Sequence, residues 1–177
     1  MGFYCHVVER LFADIESGRE PVDVVAPPLL FMMRHAMELG YKYTLSELHK
    51  MNEEPYDAKA YGSHKLRDLH AALRAKHAKA VAKYKLPETV ERNFEEYCEK
   101  TLAGMKVFEA LDGTSFTFRY PIDKAGSPNF SRDLTVDFRP IKQSFDDAMI
   151  LLRHTADVLG EYVDMDRWME AKAQQMW

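Results

Sequence analysis

With 177 residues, 46% of them hydrophobic and 29% charged, the chain holds enough apolar material for one core and is too short to favour two domains. The longest apolar run, residues 26–33, contains two prolines and stops at Arg34, well short of the roughly 20 residues that a membrane-spanning helix needs. A net charge of −4 removes overall charge as a drive toward polyanions and leaves that role to local basic faces. A single domain over residues 1–177 is expected. Cys5 and Cys98 lie far apart without a CxxC partner, so neither a zinc knuckle nor a disulfide framework is indicated. The N-terminus has no basic and then apolar signal pattern, and His6 stands where a myristoylation signal wants Ser or Thr. A cytoplasmic protein with no membrane association is expected.

In residues 2–16, Phe3, Val7, Leu11 and Ile15 recur every four positions, which predicts a short amphipathic helix stopped by Ser17-Gly18. After a loop, Pro27 and Pro28 are suited to opening a second helix, because a missing amide donor does no harm in a first turn. Leu30, Met37, Tyr41, Leu45 and Leu48 carry its apolar stripe to about Met51, and the capping-box pattern at Thr44 marks a candidate kink in a helix read as continuous. Residues 52–62 read as a loop. Ser63 can cap a helix running from His64 to Lys85. Val90, Phe94, Tyr97, Thr101, Met105 and Phe108 predict another helix that ends at Asp112-Gly113. The period then changes to two at Phe116, Phe118 and Tyr120 and again at Leu134, Val136 and Phe138, which predicts a small β-hairpin. From Ile141 through Val163 runs the cleanest amphipathic stripe of the chain, with residues 165–177 either extending that helix or forming a short further one. The expected fold class is all-α: a bundle of four to five helices with a small β-hairpin before the last long helix.

Common catalytic signatures fail on spacing. No GxxxxGK[ST], GxGxxG, HExxH or Glu-x-x-His is present, so the usual phosphate loops, zincin helices and di-iron bundles are not indicated, and neither metal nor cofactor is expected. What stands out is a charge inside a core stripe: Arg34 falls among Leu30, Met37 and Tyr41, with Glu38 four residues on along the same face. As a site, Arg34 would hold an anion such as phosphate, Glu38 would orient it and His35 could supply a proton. As structure, the two form a satisfied buried ion pair that fixes helix packing, and this is the favoured reading. A second feature is the basic stretch Lys65, Arg67, Arg74, Lys76, Lys79 and Lys83, a candidate nucleic-acid contact; His64, His70 and His77 within it read as a solvated face and not as metal ligands. Arg153 and His154 lie off the Ile141 stripe and read as surface residues, with Asp157 placed to pair with Arg153.

Three segments share a pattern. Arg34-His35-Ala36-Met37-Glu38-Leu39-Gly40-Tyr41-Lys42 resembles the RHAxELxLK helix of bacterial proteins of the HEPN type (higher eukaryotes and prokaryotes nucleotide-binding). His64-Lys65-Leu66-Arg67-Asp68-Leu69 and Phe118-Arg119-Tyr120-Pro121-Ile122-Asp123 are similar to the helix opening and the hairpin that follow in those proteins. The resemblance spans roughly residues 27–160. It implies an all-α bundle, often dimeric, that binds RNA or nucleotides in phage-defence or toxin–antitoxin systems, with a homodimer and a protein partner encoded nearby as expected partners. Many such proteins are metal-independent ribonucleases whose Arg and His stand four to six residues apart. Here Arg67 and Arg74 have only two residues before His70 and His77, and Arg153 adjoins His154. A binding and interaction module is therefore the expectation, and the alternative is a ribonuclease whose catalytic residues Arg34, His35, Glu38 and His154 meet at a homodimer interface.

Overall fold

A computed structural model describes residues 2–55, 58–111, 125–127 and 137–175. Among these, every regular element is a helix: α1 (Gly2–Glu16), α2 (Val22–Met51), α3 (Ala58–Gly62), α4 (Leu66–Tyr84), α5 (Glu88–Leu111) and α6 (Phe138–Gln175). No helix among them is long and apolar enough to cross a membrane. The first strand expected for the hairpin, around Phe116, Phe118 and Tyr120, lies outside the described residues, as do Leu134 and Val136. Phe138, expected to close the second strand, is instead the first residue of α6. Its ring meets Phe12 of α1 at a centroid distance of 6.4 Å. Phe138, Ile141 and Phe145 have helical spacing, and burial against α1 and α5 decides in favour of that period over the local alternation.

The second helix begins earlier than expected. Pro21 takes the position before its first residue, and Pro27 and Pro28 sit in the second turn and not at its start. Their missing N–H groups free the carbonyls of Asp23 and Val24, which belong to exposed residues where water can satisfy them. Nor does α2 break at Thr44. This hydroxyl is fully buried and lies 2.7 Å from the Leu152 carbonyl of α6 and 3.0 Å from the Gly40 carbonyl, so it joins two helices where a cap was a candidate. Ser63 does not cap α4, whose first flanking residue is Lys65; it accepts a hydrogen bond from the Lys65 amide at 3.1 Å and donates to Asp68 at 3.0 Å.

One apolar cluster draws on α1, α2, α4, α5 and α6. Helix α2 packs against α1, α4 and α6, while α6 packs against α5 and α2. The two pack closely at one point: a methyl at Gly104 of α5 would fall on the Ser144 side chain of α6 and within 3.2 Å of its Cα, so only glycine permits this approach. Cys5 and Cys98 are buried free thiols, and burial pushes the latter up to about 12. Helix α6 is one unbroken element of 38 residues. Its last three turns, residues 164–175, contain no buried side chain and leave Met165, Trp168 and Met169 exposed.

Candidate anion-binding site

The stripe that predicts α2 puts Arg34 and Glu38 against the bundle interior, and both are indeed buried, at 5% and 3% exposure. Arg34 donates from Nη2 to the His64 carbonyl at 2.8 Å, and its Nη1 lies 3.6 Å from Glu38 Oε2. Glu38 Oε1 receives Lys42 Nζ and His64 Nδ1, each at 2.8 Å. One carboxylate thus gathers two hydrogen-bond donors and the Arg34 guanidinium, and ties α2 to the segment that leads into α4. Burial acts most strongly on the Glu38 carboxyl and raises its pKa, but the hydrogen bonds from Lys42 and His64 together hold it below the ordinary value. Glu38 is an anion whose task is to hold Arg34, Lys42 and His64 in place.

Arg34 also forms part of the wall of a cavity of about 380 Å³ at the start of α4, together with Lys65, Arg67, Asp68, Phe108 and Glu109. No side chain caps that end of α4, and its first residues Leu66, Arg67 and Asp68 line the cavity, so the positive end of its dipole lies beside it. Arg67 is held by Glu109 at 2.6 Å, and Asp68 accepts the Ser63 hydroxyl. That leaves the Lys65 ammonium, which among the described residues has no carboxylate partner, as the cation closest to hand for an incoming anion.

The other expected site residues are dispersed. His35, one position from Arg34 but about 100° around the helix, stacks on Phe31 of its own helix at 5.5 Å and turns to α1, where it meets the edge of Tyr4 at 5.0 Å. His154 is exposed on α6, where it lines two clefts that contain neither Arg34 nor His35. The expected pair between Arg153 and Asp157 is not formed. On the basic stretch, Arg74 pairs with Glu95, Lys76 and Lys79 both pair with Glu54, and Lys83 pairs with Glu53 at 3.3 Å while donating to the Met51 carbonyl at 3.1 Å. Two lysines hold the Glu54 carboxyl down at about 2 by direct hydrogen bonds. These contacts tie the end of α2 to the last turns of α4.

His70 and His77 do not belong to a solvated face. Seven residues is almost two full turns, so both fall on the inner face with Leu66, Leu69, Leu73 and Ala80. His70 Nδ1 lies 2.9 Å from the Tyr41 hydroxyl, and His77 stacks on Phe94 at 3.5 Å. Burial drives both imidazoles down to about 4 and keeps them neutral near pH 7. Among the described residues no group of three His, Cys, Asp or Glu is placed to hold a metal ion.

The role of His64 as a partner of both Arg34 and Glu38 had no signal in spacing, since it lies 26 residues beyond Glu38. The same holds for Phe108 and Glu109, which α5 brings to the cavity from a distant part of the chain. Among the described residues, fold and site therefore define a helical bundle with a buried Arg–Glu centre opening beside a helix N-terminus. No family model, no curated protein and no solved structure matches the chain.

Proposed function

We propose that the chain is a HEPN-like helical module that binds phosphate groups of RNA or a nucleotide and works through interaction, in a bacterial or phage defence or toxin–antitoxin setting. In this reading it is cytoplasmic, forms a homodimer and meets a protein partner encoded nearby. The observation that carries the binding claim is the cavity in which buried Arg34 and the Lys65 ammonium flank the uncapped start of α4. Helix dipole and two cations there favour a phosphate, while the two carboxylates of the same wall are engaged, Asp68 by the Ser63 hydroxyl and Glu109 by Arg67. Glu38 preorganises Arg34, so an anion need not pay to order it. The resemblance of residues 34–42 to the HEPN helix supports the same reading, because those residues supply Arg34, Glu38 and Lys42 to this centre. A ribonuclease reading gains no comparable support, since His35 and His154 each face surroundings separate from the Arg34 cavity.

Fluorescence anisotropy with a labelled single-stranded RNA at low salt tests the proposal. Lys65→Glu is expected to weaken binding by about tenfold or more and to flatten the salt dependence, because a phosphate contact has become a repulsion. Equal binding by wild type and Lys65→Glu, with the fold verified by circular dichroism, would remove this cavity as the contact.

A further inference from the structure

The α6 surface far from the Arg34 cavity shows a different arrangement. A cleft of about 400 Å³ between α1 and α6 is lined by His6, Glu9, Asp146, Arg153 and His154 among others. A groove of about 470 Å³ between α5 and α6 is lined mainly by apolar groups, including Val90, Phe94, Tyr97 and Val158, with Thr89 and Asn93 at its polar positions. Ile150 and His154 belong to both. They form the ridge between two compartments of unlike chemistry.

The polar cleft has an internal division of charge. Lys142 occupies its two acids, lying 3.1 Å from Glu9 and 2.7 Å from Asp146. Arg153, one residue from the ridge and seven residues beyond Asp146, is exposed and, among the described residues, carries no hydrogen bond or ion pair; the same is true of His6 and His154. Seven residues correspond to roughly 10 Å along a helix, and among the described residues no ion pair joins Arg153 to either carboxylate that Lys142 neutralises. Gly2, the first residue of α1, lines the same cleft and brings the positive end of that helix toward it. Lys142, the lysine nearest this cleft, is already paired with Asp146, and Arg34 and Arg67 at the other cavity are paired with Glu38 and Glu109. An anion reaching Arg153 breaks no existing salt bridge.

We infer that the two compartments form one bipartite site for a small amphiphilic anion, a phosphate monoester of an aromatic group. The phosphate lies on Arg153, His154 and His6 in the α1/α6 cleft, and the ring crosses the Ile150 ridge into the α5/α6 groove. Guanidinium and imidazole groups are the side chains suited to a phosphate dianion. An apolar, partly aromatic groove with a few polar groups at its edge is suited to the attached ring. This site shares no residue with the Arg34 cavity, so it stands or falls separately from the proposal made there.

Calorimetric titration of the full chain with 1-naphthyl phosphate, inorganic phosphate and 1-naphthol tests the inference. A bipartite site binds the ester at least about tenfold more tightly than either fragment, because joining the fragments spares one loss of translational freedom. Arg153→Ala and Val158→Glu, both at exposed positions, are each expected to weaken ester binding by about tenfold, the first through the phosphate and the second through the ring. Arg139→Ala is expected to bind the ester as wild type does, which separates the effect from loss of overall charge. Ester binding no tighter than that of phosphate, or unchanged by both Arg153→Ala and Val158→Glu, would overturn the inference. No detectable ester binding by wild type would overturn it as well.

Discussion

The two ends of α4 carry similar sequence and opposite chemistry. At its start, Lys65 stands free beside a cavity that also receives Arg34. In its last turns Lys76, Lys79 and Lys83 are tied to Glu53, Glu54 and the Met51 carbonyl and clamp the end of α2. A run of basic residues is therefore not by itself a binding face. What decides is whether an exposed cation has been matched with a carboxylate by the fold, because a matched surface lysine must first give up its partner to meet a phosphate, whereas Lys65 need not.

The strongest way to test that contrast is to disturb the Arg34 centre itself. Glu38→Ala removes the buried carboxylate that pairs with Arg34 and accepts hydrogen bonds from Lys42 and His64, and is expected to cost about 3–5 kcal/mol in urea denaturation. The double change Arg34→Met and Glu38→Leu removes both charges and is expected to recover most of that loss. If the recovered protein still binds RNA as wild type does, the pair is only structural. A double variant as unstable as Glu38→Ala would show that the hydrogen bond to the His64 carbonyl, and not the charge pairing, holds this region together.

Acid probes the inner face of the same helix and is the next largest effect. His70 and His77 sit at about 4 in the fold against 6.5 in an unfolded chain. The unfolded chain binds more protons in that interval, so their stabilising contribution is complete above pH 6.5 and is lost as pH falls toward 4, by up to about 3 kcal/mol for each imidazole. Glu54, held at about 2, loses its contribution only as pH falls below 4.5. A urea midpoint that drops between pH 6.5 and 4.5 thus reports the inner face before the outer clamp responds. A midpoint unchanged across that interval would mean that both imidazoles are better solvated than their burial implies.

How much of this was legible in the sequence depended on distance along the chain. The stripes of α1, α2, α5 and α6 follow from local spacing, and so does the placement of Arg34 and Glu38 on a buried face. The polarity of His70 and His77 points to a solvated face, but their seven-residue spacing is itself a core spacing, and packing follows the spacing. Pro27 and Pro28 suggest a helix start by propensity, yet solvent access to the released carbonyls lets α2 begin at Val22. The partners of the site were not legible at all: His64 on Glu38, Glu109 on Arg67 and Glu54 on two lysines are long-range pairings that only the packing of α2, α4 and α5 creates. Charge counting recorded the lysines and could not record their matching.

The smallest expected effect addresses the clamp directly. Lys76 and Glu54 are largely shielded, with side-chain exposures of 15% and 18%, whereas Lys79 is 60% exposed. A double-mutant cycle of Lys76→Ala with Glu54→Gln is expected to give a coupling of about 1 kcal/mol, and the same cycle with Lys79→Ala about half of that or less, since solvent screens the outer partner. RNA affinity measured on the same variants gives the cycle its meaning. A clamp predicts that Lys76→Ala lowers the urea midpoint and leaves RNA affinity at fixed salt unchanged. A phosphate contact predicts the reverse, with stability kept and the salt dependence reduced by about one counterion. Because Glu54 bridges both lysines, removing it frees two cations at once. If the basic turns of α4 are a binding face held in check, Glu54→Gln strengthens RNA binding; if they are a clamp, it only loosens the junction of α2 and α4.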